Sequence, residues 1–520
     1  MTTLFHDIPS RAAQWQPDTV ALRSRHSAMT FAALDEAVRR VAAGLYHRGL
    51  RAGQRVVVYL DKRPETVAAL FAITRAGAIA VPANPALKPR QVAHLLGDSA
   101  ARGLITSRQR LQLLREAEAL AGSHLHPTLT TAVDDATDGW SGLQDDAASA
   151  ALPRRVESDP ALILYTSGST GLPKGVVLSH RNLIAGVESV VEYLDITADD
   201  HLVGALPLSF DYGLNQITTA LYAGGRVYLY DYLWPRELLH VIADEHITGF
   251  AAVPPLWNQL VQEDWPETVG RRLRYITNSG GKLPAATLQR LQAVLPTTQI
   301  FLMYGLTEAF RSTYLPPQEL SRRPDSMGQP IPNARIHVVR PDGTPCEAGE
   351  TGELVHAGPL VALGYWNDPE RTRERFRPAP DQPLELPQAQ TAVWSGDLVV
   401  RDEAGYLYFR GRRDEMIKSS GYRISPTEIE EVLHDAGLVS EVAVIGVTHP
   451  VLGEGIVAVV VPRPDVDETT LRLVCQKNLP RYMVPGAIVV QATALPRGPN
   501  GKIDRAGLRE RYQGHFDGEH

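Results

Sequence analysis

A chain of 520 residues, 44% hydrophobic and 21% charged, exceeds a single ordinary core and has the balance of a globular protein with two or more domains. Its net charge of −7 argues against a nucleic-acid surface, and basic clusters such as Arg271 to Arg274 read as solvated helix faces. No apolar run approaches bilayer length and the N-terminus lacks a basic-then-apolar leader, so no membrane span and a cytoplasmic location are expected. Cys346 and Cys475 are the only cysteines; they support neither a disulfide framework nor a zinc site and read as packing residues.

From the N-terminus, helix-like and strand-like patterns alternate. Phe31, Leu34, Val38, Val41 and Leu45 recur at helical spacing and Gly49 ends the stripe. "RVVVYL" from Arg55 to Leu60 reads as a buried strand, "ETVAALFAITRAG" as a helix, and "AIAVP" as the next strand. This βαβ order predicts an α/β fold with parallel-rich sheets covered by helices. Residues 133–160 read as a connection rather than core, and "FRPAPDQPLELPQAQ" from Phe376 as a Pro-rich loop. The last hundred residues form a small α+β unit: a capped helix "SPTEIEEVLHDAG" with Ile429, Val432 and Leu433 inward, strands "EVAVIGV" and "EGIVAVVVP", and a helix "TTLRLVCQKN". The charged, glycine-containing stretch from Gly405 to Ser425 before it reads as a mobile junction or as a surface hairpin.

The stretch "LYTSGSTGLPKGVVLSH", Leu164 to His180, combines glycines, hydroxyls and a lysine, the means by which a backbone turns several N–H groups toward one anion. "ALILY" predicts a buried strand before it and Ser179 an N-cap after it, so the expected context is strand, phosphate loop, helix. It is not a GxxxxGK[ST] loop, because Pro173 precedes Lys174 and Gly175 follows it. The order Thr-Ser-Gly-Ser-Thr-Gly-x-Pro-Lys-Gly instead resembles the signature of the adenylate-forming (ANL) superfamily, which contains acyl-CoA synthetases, peptide-synthetase adenylation domains and luciferases. Further motifs in the same order extend the resemblance over nearly the whole chain: "NSGGKLP", "YGLTE", "SGDL", "GRRDEMIKSSGYRIS" and "PRGPNGKIDR".

The resemblance implies an ANL fold: a large N-terminal domain of several subdomains over residues 1–413 and a mobile C-terminal domain over 414–520, hinged at Asp414. It implies ATP, Mg²⁺ and a thiol as reactants or cofactors. Thr166, Ser167, Gly168, Ser169, Thr170, Gly171 and Lys174 would close over the β- and γ-phosphates. Gly280 and Gly281 would underlie adenine and the acyl chain, with Tyr304 on the adenine face. Thr307 would meet the α-phosphate, and Glu308 would hold Mg²⁺, a hard cation that prefers carboxylate oxygen. Asp397 would bond the ribose hydroxyls, Arg412 would contact the nucleotide, and Gly421 would line the thiol's access channel, with Lys418 and Arg423 beside it. Lys502 would be the catalytic lysine, its charge bridging the attacking carboxylate and the α-phosphate. Domain rotation would then separate adenylation from thiol attack.

The implied reaction is AMP-forming carboxylic acid–thiol ligation, with CoA or the phosphopantetheine of an acyl or peptidyl carrier protein as acceptor. No carrier segment follows Lys502 in this sequence, so the thiol is expected in trans. Asp211, in "SFDYG" with Tyr212, falls where amino-acid-activating relatives carry an aspartate for the substrate ammonium. An amino acid is therefore open beside a plain carboxylic acid, and so is pairing of Asp211 with Arg311. A luciferase-like oxidase would share these motifs; a silent nucleotide-binding protein would be expected to lack Lys502 or Glu308.

Overall fold

The computed structural model describes residues 3–121, 127, 129–134, 139–144, 152–166, 173–383, 385, 387–412, 416–496 and 503–518. Four sheets organise the described residues. In the first, strands Ile79–Pro82, Arg55–Tyr59, Gly103–Thr106 and Leu129–Ala132 run parallel beside Pro160–Thr166. Residues Val56, Val58 and Leu60 are nearly inaccessible to solvent, as an apolar strand covered on both faces must be. Helices Phe31–His47 and Pro64–Arg75 cover the face of Val56 and Val58, Pro89–Asp98 covers the face of Val57, and the stripe from Phe31 through Leu45 is buried as the spacing predicted. The helix ends before Gly49, whose φ of 93° an L side chain rarely adopts.

The second sheet has nine strands, six of them mutually parallel, from Gln299–Tyr304 through Tyr275–Asn278, Gly249–Ala252, His201–Gly204 and Arg226–Leu229 to Val20–Arg23. A third, antiparallel sheet carries Thr391–Arg401, which pairs with Thr351–Ala357 and with Leu407–Arg412. The C-terminal sheet is built on the long hairpin Val439–His449 with Gly453–Pro462. Alternate residues of this hairpin face two different layers. Val442 and Val444 pack with Ile429 and Leu433 of the helix Pro426–Asp435, and Ala443 and Ile445 pack with Leu508 and Phe516.

Four local expectations are corrected. The glycine-rich loop does not lead straight into a helix: Lys174–Ser179 forms a strand antiparallel to Pro160–Thr166, with Thr166 opposite Lys174, and the helix starts at His180. The run Gly-Val-Val-Leu favours this pairing because β-branched side chains fill a pleated surface, so the loop bridges a hairpin. Within 133–160, Val133 and Leu143 belong to the core, and the short helix Trp140–Leu143 meets the helix Phe31–His47. In the Pro-rich stretch, Phe376–Pro378 adds an edge strand to Thr391–Arg401. Ser425 precedes its helix with extended dihedrals but makes no capping hydrogen bond; Pro426 sets the first turn instead. The stretch from Gly405 to Ser425 divides between two sheets, Leu407–Arg412 in the third and the hairpin Ile417–Ser419 with Tyr422–Ile424 in the fourth.

Candidate active site

Ser179 caps the helix His180–Leu194 reciprocally: its Oγ accepts from Asn182 N–H at 3.2 Å and its own N–H donates to Asn182 Oδ1 at 2.8 Å. The Asn182 amide then donates to the carbonyls of Pro359 and Val361, both at 2.7 Å. That fixes the turn whose Ala362 N–H donates to the Glu308 carbonyl at 2.9 Å. A helix cap thus sets the backbone position of a buried carboxylate.

Glu308, in the turn Thr307–Ala309, is 3% exposed. Its Oε1 accepts from the Tyr365 hydroxyl at 2.7 Å and from Lys174 Nζ at 3.3 Å, and Lys174 also donates to the Tyr365 oxygen at 2.8 Å. Arg423, from the C-terminal sheet, brings Nη1 to 3.8 Å from Oε2. Burial would raise the Glu308 carboxyl, but Lys174, Arg423 and the Tyr365 hydroxyl together hold it well below the usual carboxylate range. Burial is also the largest influence on Lys174, pulling its ammonium down to about 8 against the attraction of Glu308. Oε2 accepts no hydrogen bond among the described residues. Apart from the Arg423 guanidinium at 3.8 Å, this oxygen keeps its lone pairs for a hard cation that takes its remaining ligands from phosphates and water.

Asp397 lies on the strand Thr391–Arg401, opposite Arg412 in register, and its Oδ2 accepts from the Tyr304 hydroxyl. Gly280 and Gly421, each with φ of +80°, bring the two parts of the chain together. A Cβ on Gly421 would lie 2.7 Å from Val253 Cγ1, and one on Gly280 would lie 3.6 Å from the Gly421 carbonyl oxygen. Next to them Tyr422 stacks on Tyr482, with ring centroids 3.7 Å apart, and meets Phe210 edge-on at 4.8 Å. These residues line a cavity of about 150 Å³ into which Thr166, Thr307, Asp397, Lys418 and Arg423 also project. A second cavity of about 380 Å³ shares Pro82, Asn84, Phe210, Val253 and Tyr422 with it and runs between Lys62, Asp231 and Ser420.

Asp211 opens the helix Asp211–Ala223, and its Oδ2 accepts from Arg311 Nη1 at 2.9 Å. The pairing with Arg311 that the sequence left open is present. Burial still raises the Asp211 carboxyl, with Arg311 opposing it. The Tyr212 ring lies 4.6 Å beneath the guanidinium and its hydroxyl shares a 2.6 Å hydrogen bond with Thr277. Gly281 lies against Pro254. Of the other expected site residues, Ser167 to Gly171, Asp414 and Lys502 lie outside the described residues, as does the Arg412 side chain.

Sequence reading missed Tyr365, which links Lys174 to Glu308, and Phe210, Tyr482 and Glu428 on the cavity wall. Only the aromatic character of "GYW" around Tyr365 hinted at such a role, and nothing in its spacing connects it to Glu308.

The family model of the AMP-binding enzymes matches residues 9–366, and the model of their C-terminal domain matches 428–502. The chain belongs to the AMP-binding enzyme family. Within that family it is 34% identical over 97% of its length to the sulfoacetate–CoA ligase of Cupriavidus necator, 97% of which is covered. It is 30% identical over 98% of its length to the L-proline–[L-prolyl-carrier protein] ligase of Pseudomonas fluorescens, which it spans completely at 100%. Other curated relatives are far longer, and of two of these the chain spans only 10% and 6%. Among solved structures of AMP-binding enzymes it superposes on o-succinylbenzoate CoA synthetase from Bacillus subtilis, bound with its product analogue, with a TM-score of 0.82. That match has 27% identity and covers 97% of this chain and 98% of the other. Among the described residues no helix is long and apolar enough to cross a membrane.

Proposed function

We propose that this AMP-binding enzyme is an ATP-dependent, AMP-forming carboxylic acid–thiol ligase. A carboxylate attacks the α-phosphorus of ATP, pyrophosphate leaves, and a thiol then displaces AMP from the acyl-adenylate. The observation that carries the reading is the shared cavity, lined by Thr307 and Asp397 from the large part and by Gly421 and Arg423 from the C-terminal part, with Arg423 also reaching the buried Glu308–Lys174–Tyr365 cluster.

The roles are those that the resemblance implies, and each suits the chemistry of its side chain. Asp397 accepts from vicinal ribose hydroxyls, and Thr307 donates to the α-phosphate. Lys174 and the loop 166–171 hold the phosphates that depart. Glu308 Oε2 would hold Mg²⁺, which when bound neutralises phosphate charge. Lys502 bridges carboxylate and α-phosphate during adenylation. The described chain on either side of residues 497–502 packs on one face of the C-terminal sheet. Asp504 N–H donates to the Pro496 carbonyl at 2.8 Å, and Leu495 and Ile503 pack on the sheet face of Leu508 and Phe516. That face is opposite the one bearing the helix Pro426–Asp435, whose Glu428 lines the cavity. A rotation about Asp414, with domains divided at 413/414, would separate adenylation by Lys502 from thiol attack.

The test is acid-dependent exchange of labelled pyrophosphate into ATP, followed by thioester formation with CoA and, separately, with phosphopantetheinylated carrier protein. Exchange without thioester on either acceptor would refute the ligase step; absence of exchange with every acid would refute adenylation. The relatives' named acids range from proline to sulfoacetate, so the choice of acid rests with the pocket itself.

A further inference from the structure

Arg311 is 2% exposed and is placed by an unusual turn. Phe310 has φ 54° and ψ −41°, and Arg311 N–H donates back to the Ala309 carbonyl at 2.6 Å, closing a three-residue turn. A phenylalanine seldom adopts positive φ. Its ring is locked against Gly186, where a Cβ would lie 2.3 Å from Phe310 Cδ1, so packing holds the turn and the turn aims the guanidinium inward.

The guanidinium is only half used. Nη1 donates to Asp211 Oδ2 and, at 3.1 Å, to the Phe310 carbonyl. Nε and Nη2 have no hydrogen-bond partner among the described residues. Those two nitrogens form one edge of the guanidinium, with their N–H bonds nearly parallel, the geometry that receives two oxygens of one carboxylate. Two buried donors on a cation are costly to leave unpaired. Arg311 lines the 150 Å³ cavity and also a small chamber of about 20 Å³ behind it, with Tyr212, Asn215, Thr277 and Met303. The Asn215 amide nitrogen there also lacks a partner among the described residues. The Gln216 amide oxygen in the same chamber is one unpaired acceptor against these three donors, so the arginine side still calls for acceptor oxygen.

We infer that the acid activated here carries, at its end away from the reacting carboxylate, a second oxyanion held side-on by Arg311. This rests on the ligase reading above. A ketone or ether would present one oxygen to a two-pronged edge, whereas a carboxylate or sulfonate presents two at matching spacing. Asp211 holds the opposite edge and keeps the guanidinium from rotating, which makes it the positioning residue. A methyl-ended acid would bury the two donors against hydrocarbon, the situation in which a site built for hydrogen bonds discriminates most strongly.

The experiment is ATP–pyrophosphate exchange with matched pairs of short acids: succinate against butyrate, glutarate against pentanoate, and 3-sulfopropionate against butyrate. The expected result is at least a 100-fold higher kcat/KM for the doubly anionic member of at least one pair. Arg311→Lys, which keeps the charge and loses the fork, should reduce that ratio to under 10-fold. Asp211→Asn, which keeps an oxygen able to accept from Nη1, should retain the preference, whereas Asp211→Ala, which frees the fork to rotate, should raise KM for the preferred acid. If methyl-ended acids are activated as well as their partners by the unmodified protein, a buried water fills the fork and the inference is overturned while the ligase reading stands. If no acid supports exchange, both fall.

Discussion

Glu428 offers a test of how the two parts of the chain come together. It lies on the C-terminal helix Pro426–Asp435, is 7% exposed, and its Oε1 accepts from Gln91 Nε2 of the large part at 3.3 Å. Arg90, which attracts it, is engaged with Asp435 at 2.6 Å; Glu431 on the same helix and Tyr482 also act on it, and Lys418 and Arg423 line the same cavity. Burial, reinforced by Glu431, pushes the Glu428 carboxyl from 4.5 up to about 7, against the weaker pull of the Gln91 hydrogen bond and Arg90. In an undocked arrangement the group would regain its ordinary value. The docked state therefore holds its proton more tightly, and the contribution is fully present below pH 4.5 and lost as pH rises through 7. At 1.36 kcal/mol per pKa unit, the difference amounts to about 3 kcal/mol across that window, a factor on the order of 100 in the docking equilibrium. Glu428→Gln keeps a neutral amide at the contact and cannot titrate, so docking should become nearly independent of pH between 5 and 8 and should be tightest relative to wild type at pH 8. Energy transfer between dyes on cysteines introduced at the exposed Leu473 and Leu113 reads the docked fraction, since Cys346 and Cys475 are buried. An equal pH slope in wild type and Glu428→Gln would refute the reasoning.

Gly421→Ala forces a side chain into φ of +80° and against Val253. Thiol transfer should fall at least 10-fold while pyrophosphate exchange is retained, measured as separate half-reactions. Tyr365→Phe deletes the hydrogen bond to Glu308 and the bridge to Lys174; a bond to a charged group contributes about 1.5–3 kcal/mol. It should thus lower kcat/KM for ATP by roughly 10- to 100-fold, and an unchanged value would remove Tyr365 from the site. Lys502→Ala should abolish adenylation yet spare thioester formation from supplied acyl-adenylate, and Asp414→Pro should do the reverse. Equal loss of both half-reactions in either variant would contradict the rotating arrangement.

The sequence by itself determined the family and much of the local structure, because those signals are contiguous. The helix through Phe31 and Leu45, the strand from Arg55 and the cap at Ser179 each lie within one window, where hydrophobic period and hydrogen-bonding side chains set the outcome. "YGLTE" and "SGDL" are assigned to a nucleotide site through the family resemblance, which rests on the order of motifs along the chain. Where the local reading failed, pairing with a distant strand won. Lys174–Ser179 became a strand through its partner Pro160–Thr166, and Phe376 joined the edge of Thr391–Arg401.

Partners at the site were decided only by the tertiary structure. Glu308 meets Tyr365 across 57 residues, Arg311 meets Asp211 across 100, and Lys174 meets Glu308 across 134. No local pattern encodes such a meeting, since it depends on how sheets pack and on which charges become buried together. The sequence left Asp211 with two candidate partners and Arg311 with a vague place in the pocket lining. Folding buried both, spent one edge of the guanidinium on the aspartate and left the other edge open. A buried charge must find an opposite charge or hydrogen bonds, and which of these it finds is a property of the assembled core rather than of any segment.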